Sequence, residues 1–220
     1  MIATSNSYTP LSRTEIAARV ARDIAEGWYV NLGIGIPTLI ADQLPADKEV
    51  IFQSENGILG LGPAPAPDQV DPWLTNAGKQ NATLRKGASL FHHADSFTMI
   101  RGGHLDLCVL GAYQVAENGD MANWAILGDD GPPAVGGAMD LAVGARRTWV
   151  VMEQTSKDGK PKLVHRCTFP LTGMNCVSRI YTNLAVFDVT PRGFVVIDMV
   201  DGMTLEQLRE LCDAEIHRPS

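Results

Sequence analysis

One glutamate lies in a short glycine-containing segment and has the clearest potential for chemistry. The segment 54–57 (SENG) contains Glu55 and follows the run 49–53, which is rich in β-strand formers. In open α/β sheets, ligands bind beyond the carboxyl ends of the strands, and a glycine such as Gly57 lets the backbone turn sharply beside a ligand. A carboxylate held there can act as a base, a metal ligand or a nucleophile. The structural alternative is a loop glutamate that caps a helix.

Two glycine-rich turns offer backbone amides. Gly33 and Gly35 lie in the turn GIGIP, between a predicted strand and a predicted helix, where exposed amides bind anions. Thr38 stands where a dinucleotide fingerprint has its third glycine, which argues against a nicotinamide or flavin site. Gly136 and Gly137 precede another predicted helix, and their paired amides would suit an oxyanion. Either turn can also be a tight connection without a ligand.

Histidines and cysteines do not form a metal-binding pattern. His92 and His93 are adjacent, and neighbouring positions on a helix point about 100° apart, so one ion cannot easily bind both. His104 and Asp106 surround the start of a predicted strand, where we expect them to fix a loop by hydrogen bonds. The four cysteines form no C-x-x-C pair and are predicted to be reduced thiols. We therefore predict no metal site.

Strands and helices must alternate to position these residues. The capping-box pattern from Ser12 to Glu15 predicts a helix over 13–26. Further helices are predicted at 38–44, at 92–101, after Gly137 and from about Thr204. Strands are predicted at 29–32, 49–53, 105–110, 148–152, 185–189 and 194–199. The order predicts an open, mainly parallel α/β sheet with flanking helices and added antiparallel strands in the last third.

A turn signal and the overall composition complete the sequence-based predictions. Asp158-Gly159 predicts a hairpin between 148–152 and 163–165. The 220 residues suit one domain, 1–220, and a net charge of -7 argues against general nucleic-acid binding. No run approaches the roughly 20 apolar residues of a membrane span, and the N-terminus has no secretion-signal pattern. We therefore expect a cytoplasmic protein.

Taken together, the motifs resemble the second (B or β) subunit of the 3-oxoacid CoA-transferases, a family with a glutamate nucleophile. The matching segments follow the family order at 30–38, 54–57, 76–79, 95–106, 119–124, 135–141, 170–173 and 180–182. Segments 11–15 and 92–97 and the insert 128–134 are most similar to the branch that acts on 3-oxoadipate. Met121 departs conservatively from the leucine that is frequent in the family.

The resemblance implies a fold, a partner and roles for the residues. It implies a CoA-transferase (NagB/RpiA-like) sheet, a separate α subunit in an α2β2 heterotetramer, and a coenzyme A thioester as substrate with no permanently bound cofactor. Glu55 would be the nucleophile, and Gly136, Gly137 and Asn56 would bind the oxyanion and substrate. Gly33 and Gly35 would form a CoA or anion loop. Cation candidates for the substrate carboxylates are Lys79, Arg85, Lys86 and Arg101, or the partner.

The reaction implied is transfer of CoA from succinyl-CoA to 3-oxoadipate, in the β-ketoadipate pathway of aromatic-compound degradation. Acetoacetate is the alternative acceptor. An acyl-CoA hydrolase would instead use Glu55 to activate water. A non-enzymatic phosphate sensor would bind its ligand at 33–37, and a purely structural subunit would leave the active site to its partner.

Overall fold

A computed structural model describes residues 8–45, 47–126 and 134–219. Its α-helices are α1 (Arg13–Asp23), α2 (His93–Arg101), α3 (Ala138–Gly144) and α4 (Leu205–Glu210), with 3-10 helices at Ile36–Gln43 and Pro67–Gln69. Its strands are β1 (Tyr29–Leu32), β2 (Ile51–Ser54), β3 (Ile58–Leu61), β4 (Leu84–Leu90), β5 (Leu107–Leu110), β6 (Gln114–Ala116), β7 (Met121–Ala122), β8 (Thr148–Val151), β9 (Leu163–Val164), β10 (Val177–Tyr181), β11 (Ala185–Thr190), β12 (Gly193–Met199) and β13 (Ile216–His217). Residues 128–133 of the predicted insert lie outside the described ranges.

Ten of these strands form one sheet in the order β13-β12-β11-β10-β8-β5-β1-β2-β3-β4. The five strands β10, β8, β5, β1 and β2 run parallel to one another. Antiparallel strands extend this sheet on both sides, β11 and β12 beyond β10, and β3 and β4 beyond β2. The predicted open α/β sheet with added antiparallel strands is confirmed. The pair β3 and β4 was not predicted, because β4 is largely exposed and lacks an apolar alternation.

Local signals explain where the first helix begins. The Ser12 hydroxyl accepts from the Glu15 amide at 3.3 Å, and the Glu15 carboxylate accepts from the Ser12 amide at 2.7 Å, which completes the predicted capping box. The helix buries Ile16 and Val20 against the sheet. It ends at Asp23, three residues earlier than predicted. No helix within the described ranges has the length and apolar composition to cross a membrane.

Apolar layers cover both faces of the parallel strands. Along β5, Leu107 and Val109 pack into one cluster with α1, whereas Cys108 and Leu110 pack into the other with α2, α3 and α4. Successive strand residues point to opposite faces, and a parallel strand covered on both faces is apolar throughout. The prediction of one domain over residues 1–220 stays a prediction.

The predicted hairpin across Asp158-Gly159 is wrong. The turn forms, with the Gly159 amide donating to the Ser156 carbonyl at 2.9 Å, but β8 lies between β5 and β10 in the large sheet. The segment beyond the turn becomes β9, which pairs in parallel with β6 in a small sheet of order β7-β6-β9. Both edges of β8 are occupied, so no edge remains for a hairpin partner.

Candidate active site

A cavity of about 820 Å³ runs along the carboxyl ends of the parallel strands. Its lining includes the first residues after four strands: Gly33 after β1, Glu55 after β2, Gly111 after β5 and Met152 after β8. This is where an open α/β sheet binds its ligand. Five of the six predicted site residues line this one cavity, namely Gly33, Gly35, Glu55, Gly136 and Gly137.

Glu55 lies in a tight hairpin turn. Ser54 of β2 pairs with Ile58 of β3, so Glu55, Asn56 and Gly57 form the connection. The Gly57 amide donates to the Ser54 carbonyl at 3.0 Å. Gly57 has a φ of 109°, and a Cβ at this position would overlap the backbone carbonyl of Phe91. A strand rather than a helix follows, so the alternative of a helix-capping glutamate is wrong.

A chain of buried polar side chains holds the end of β2. The Asn31 amide donates to the Gln53 side-chain oxygen at 2.6 Å, and the Gln53 amide donates to the Ser96 hydroxyl. That hydroxyl donates to the Ser54 carbonyl at 3.3 Å. Buried polar groups need such partners, because an unsatisfied donor or acceptor destabilises the fold. The chain links β1, β2 and α2 immediately before Glu55.

The Glu55 carboxylate packs directly against the second glycine turn. A Cβ added at Gly137 would overlap Glu55 Oε2 and would lie 2.9 Å from Phe97 Cζ. Gly137 is buried and has an ordinary backbone conformation, φ -85° and ψ 3°. The absence of a side chain at residue 137 is therefore what gives the carboxylate its space.

Burial raises the pKa of the Glu55 carboxyl above its ordinary value. The charge of His93 lowers this pKa and the charge of Asp140 raises it further, both with smaller effects than burial. Asp140 is held by the Arg101 guanidinium, with Nε 2.7 Å from Oδ1. A carboxylate with less solvation and a raised pKa is a better nucleophile than one in water.

The remaining predicted site residues have mixed positions. Gly136 has a φ of 53°, and neither its amide nor that of Gly137 donates to another described residue. The Gly33 amide already donates to the Val109 carbonyl at 2.8 Å, so Gly33 contributes close packing rather than a free donor. Asn56 does not line the cavity, and its exposed side chain donates to the Thr75 carbonyl at 2.7 Å. Its role in substrate binding stays a prediction.

The cations that line the cavity differ from the candidates chosen from the sequence. Arg101 pairs with Asp140, and the other three candidates, Lys79, Arg85 and Lys86, are exposed and outside the cavity lining. Among the described residues the lining cations are Arg13 and Lys162. Sequence reasoning missed both, because Arg13 reads as a helix start and Lys162 as an ordinary residue after a turn.

The histidine and aspartate candidates have structural roles. The His92 ring accepts from the Ala94 amide at 3.1 Å at the start of α2, and His93 packs on Phe97 with ring centroids 4.9 Å apart. Asp106 accepts from the Tyr29 amide at 3.0 Å and pairs with Arg146 at 2.9 Å, as expected of a loop-fixing residue. Across the described ranges, no three His, Cys, Asp or Glu side chains cluster as metal ligands.

Comparison with protein families and curated sequences gives consistent matches. The family model described as "Coenzyme A transferase" matches residues 13–211. The B subunit of the 3-oxoadipate CoA-transferase of Acinetobacter baylyi is 55% identical over 96% of this chain and 97% of its own length. The corresponding chain of Pseudomonas putida is 59% identical over 91% and 94%. The B subunit of the succinyl-CoA:3-ketoacid coenzyme A transferase of Helicobacter pylori is 45% identical over 92% and 97%.

Solved structures share the fold at low sequence identity. An acyl-CoA transferase (YdiF) from Escherichia coli O157:H7 has a TM-score of 0.75 at 19% identity, covering 95% of this chain and 42% of that one. The decarboxylase AibA/AibB has a TM-score of 0.66 at 18% identity, covering 96% and 86%. The same fold thus occurs with different named activities, so the reaction must be argued from the site.

Proposed function

The chain belongs to the coenzyme A transferase family, and from that premise we propose that it is the β subunit of an enzyme that transfers CoA from succinyl-CoA to 3-oxoadipate, with Glu55 as nucleophile. The names of the relatives from Acinetobacter and Pseudomonas support this acceptor, and the Helicobacter relative supports a 3-ketoacid as the alternative. The observation that carries the proposal is the half-buried Glu55 carboxylate packed on Gly137 in the cavity.

The first half-reaction loads CoA onto the protein. The Glu55 carboxylate attacks the thioester carbonyl of succinyl-CoA, the carbon–sulfur bond breaks, and a mixed anhydride and CoA thiolate form. The thiolate then attacks the glutamyl carbonyl, and succinate leaves with the electron pair of the broken bond. Glu55 now carries CoA as a thioester. Two moderate steps replace one difficult exchange, and ping-pong kinetics follow.

The second half-reaction reverses these steps with the acceptor. A carboxylate of 3-oxoadipate attacks the glutamyl thioester and releases CoA thiolate, which then attacks the new mixed anhydride at the 3-oxoadipyl carbonyl. The product thioester leaves and the Glu55 carboxylate is restored. No proton or electron is consumed overall, so coenzyme A is a substrate and no permanently bound cofactor is needed.

The surroundings of Glu55 support this chemistry. Each tetrahedral intermediate carries an oxyanion, for which the Gly136 and Gly137 amides are the proposed donors. Loss of one such donor typically costs about 3–4 kcal/mol of transition-state stabilisation. Burial lowers the solvation of the carboxylate and raises its pKa, and a site that excludes water protects the anhydride and thioester from hydrolysis.

The partner is proposed to be a separate α subunit in an α2β2 assembly located in the cytoplasm. The relatives that match this chain over nearly their whole length are named as B subunits. Their names support a second chain, which would complete the CoA site and the oxyanion pocket.

Borohydride trapping tests the proposed function. The chain purified with its α partner is mixed with succinyl-CoA without acceptor, treated with borohydride, and mapped by peptide mass spectrometry. Reduction of the thioester is expected at Glu55, and Glu55→Gln is expected to abolish CoA transfer while the protein stays folded. Glu49→Gln, which alters a carboxylate six positions earlier and outside the cavity lining, is the control and should retain activity.

Three results would contradict the assignment. These are reduction at another carboxylate, continued transfer by Glu55→Gln, and release of free CoA from succinyl-CoA at the full rate without an acceptor acid. The last result would identify a hydrolase in which Glu55 activates water.

A further inference from the structure

The cavity contains a lysine that the chemistry at Glu55 does not use. Lys162 precedes β9, and its amide donates to the Gln154 carbonyl at 3.3 Å, which ties it to the segment that follows β8. Its side chain lines the same cavity as Glu55. Within the described part of the chain, the Lys162 ammonium makes neither a hydrogen bond nor an ion pair. Three N–H donors therefore remain for a ligand.

Burial makes this ammonium costly without a ligand. Lys162 is partly buried, and burial lowers the pKa of its amine to about 8, against a smaller raising effect of the Glu153 charge. The Glu153 carboxylate is shared with Arg13, whose Nε lies 3.6 Å from Oε1. These are the charged side chains that line the cavity on the β8 side among the described residues. An anion beside Lys162 would replace the lost solvation of a buried cation.

The position of Lys162 sets the length of the molecule it can bind. Glu55 follows β2 and Lys162 is tied to the segment after β8, with β1 and β5 between them. Three strand spacings separate the two backbones by roughly 14 Å. Both side chains extend into the cavity between them. A ligand that reacts at Glu55 reaches Lys162 only if it is elongated and ends in an anion.

We propose that Lys162 binds the anionic group at the far end of the substrate that reacts at Glu55. Two substrates of the proposed reaction offer such a group, namely the distal carboxylate of the diacid and the phosphates of CoA. Acetoacetate has no distal carboxylate, so in the first case Lys162 selects 3-oxoadipate over acetoacetate. The inference rests on the proposed function and adds a specificity-determining residue to it.

Protection from amine labelling tests the binding without requiring turnover. The full chain, purified in complex with its α partner, is reductively methylated near pH 8 with succinate, desulfo-CoA or acetate present at equal ionic strength. We expect succinate to protect Lys162, whereas the exposed Lys160, paired with Asp158, stays reactive in every sample. Protection by desulfo-CoA alone assigns the phosphate. Equal labelling in all three samples overturns the proposal, even if Glu55 is trapped as expected.

Kinetics of Lys162→Met give a second and independent readout. For a distal carboxylate, kcat/KM should fall about 10- to 100-fold for 3-oxoadipate, the value of one charged hydrogen bond, and stay unchanged for acetoacetate. A loss confined to succinyl-CoA assigns the phosphate, and an equal loss for all substrates, or none, contradicts the proposal. Lys160→Met is the matched control and should retain wild-type values.

Lys162→Arg separates charge from packing. A neutral amine cannot attract an anion, so kcat/KM of the wild type for 3-oxoadipate should fall as pH rises through about 8. Arginine stays protonated, so the variant should recover activity relative to Lys162→Met and lose this alkaline fall. Identical pH profiles for wild type and Lys162→Arg would contradict a charge-based role.

Discussion

At the scale of single residues, the site depends on a missing side chain as much as on a reactive one. Glu55 supplies the carboxylate, but Gly137 supplies the space that its Oε2 occupies. The backbone of Gly137 is not strained, with φ -85° and ψ 3°. Conformational freedom therefore does not explain this glycine, whereas close approach of the carboxylate does.

Gly137→Ala should impair catalysis without unfolding the protein. The new Cβ overlaps Glu55 Oε2 and lies 2.9 Å from Phe97 Cζ, so the carboxylate must move. A displacement of about 1 Å can cost about 100-fold in rate, and we expect kcat to fall about 10- to 100-fold in a transfer assay. Gly111→Ala is the control, because its Cβ meets only the Val151 carbonyl at 3.9 Å. Equal kcat values for the two variants would contradict this account.

At the scale of elements, the end of β2 is held from the side by α2 and β1. The buried chain Asn31–Gln53–Ser96 connects these three elements one residue before the Ser54-Glu55 junction. A hairpin turn would otherwise be the most mobile part of the antiparallel pair of β2 and β3. The polar chain therefore acts as a support for the nucleophile.

Ser96→Ala should destabilise the fold and disturb the site together. The substitution leaves the buried Gln53 amide without its acceptor, and an unsatisfied buried polar group costs about 1–3 kcal/mol. Urea unfolding should show this loss, and kcat should fall in parallel. Ser89→Ala, at an exposed position of β4, is the control and should stay within about 0.5 kcal/mol of wild type. Wild-type stability and kcat in Ser96→Ala would rule out the supporting role.

At the scale of the whole molecule, one sheet edge gathers residues that are far apart in sequence. The cavity joins the turn after β1, the hairpin after β2 and the segments after β5 and β8. This chain spans 97% of the Acinetobacter relative but 42% of the YdiF chain. These proportions fit a reaction unit that is larger than this chain.

Reconstitution with the α partner should switch on turnover. We expect the isolated chain to show no CoA transfer, whereas an equimolar mixture should transfer CoA and reach the mass of an α2β2 complex by light scattering. Glu55→Gln should assemble to the same mass without activity, because the altered oxygen lies inside the cavity. Full transfer by the isolated chain would contradict the need for a partner.

Local interactions let the sequence alone determine several elements of this protein. The capping box of α1, the bounds of β1, the antiparallel pair around 190–193 and the start of α4 at Thr204 follow from neighbouring residues. The resemblance of the ordered motifs also identified Glu55 and the two glycine turns. Each of these signals lies within a few positions along the chain, where propensity and capping act.

Tertiary structure alone decided what surrounds the nucleophile. The contact of Glu55 with Gly137, the pairing of β9 with β6 and the presence of Lys162 in the cavity join segments distant in sequence. No local pattern encodes such contacts, because they follow from strand order and from which strand edges are already occupied. The sequence thus determined which groups are reactive, and the packing of the sheet determined which of them meet.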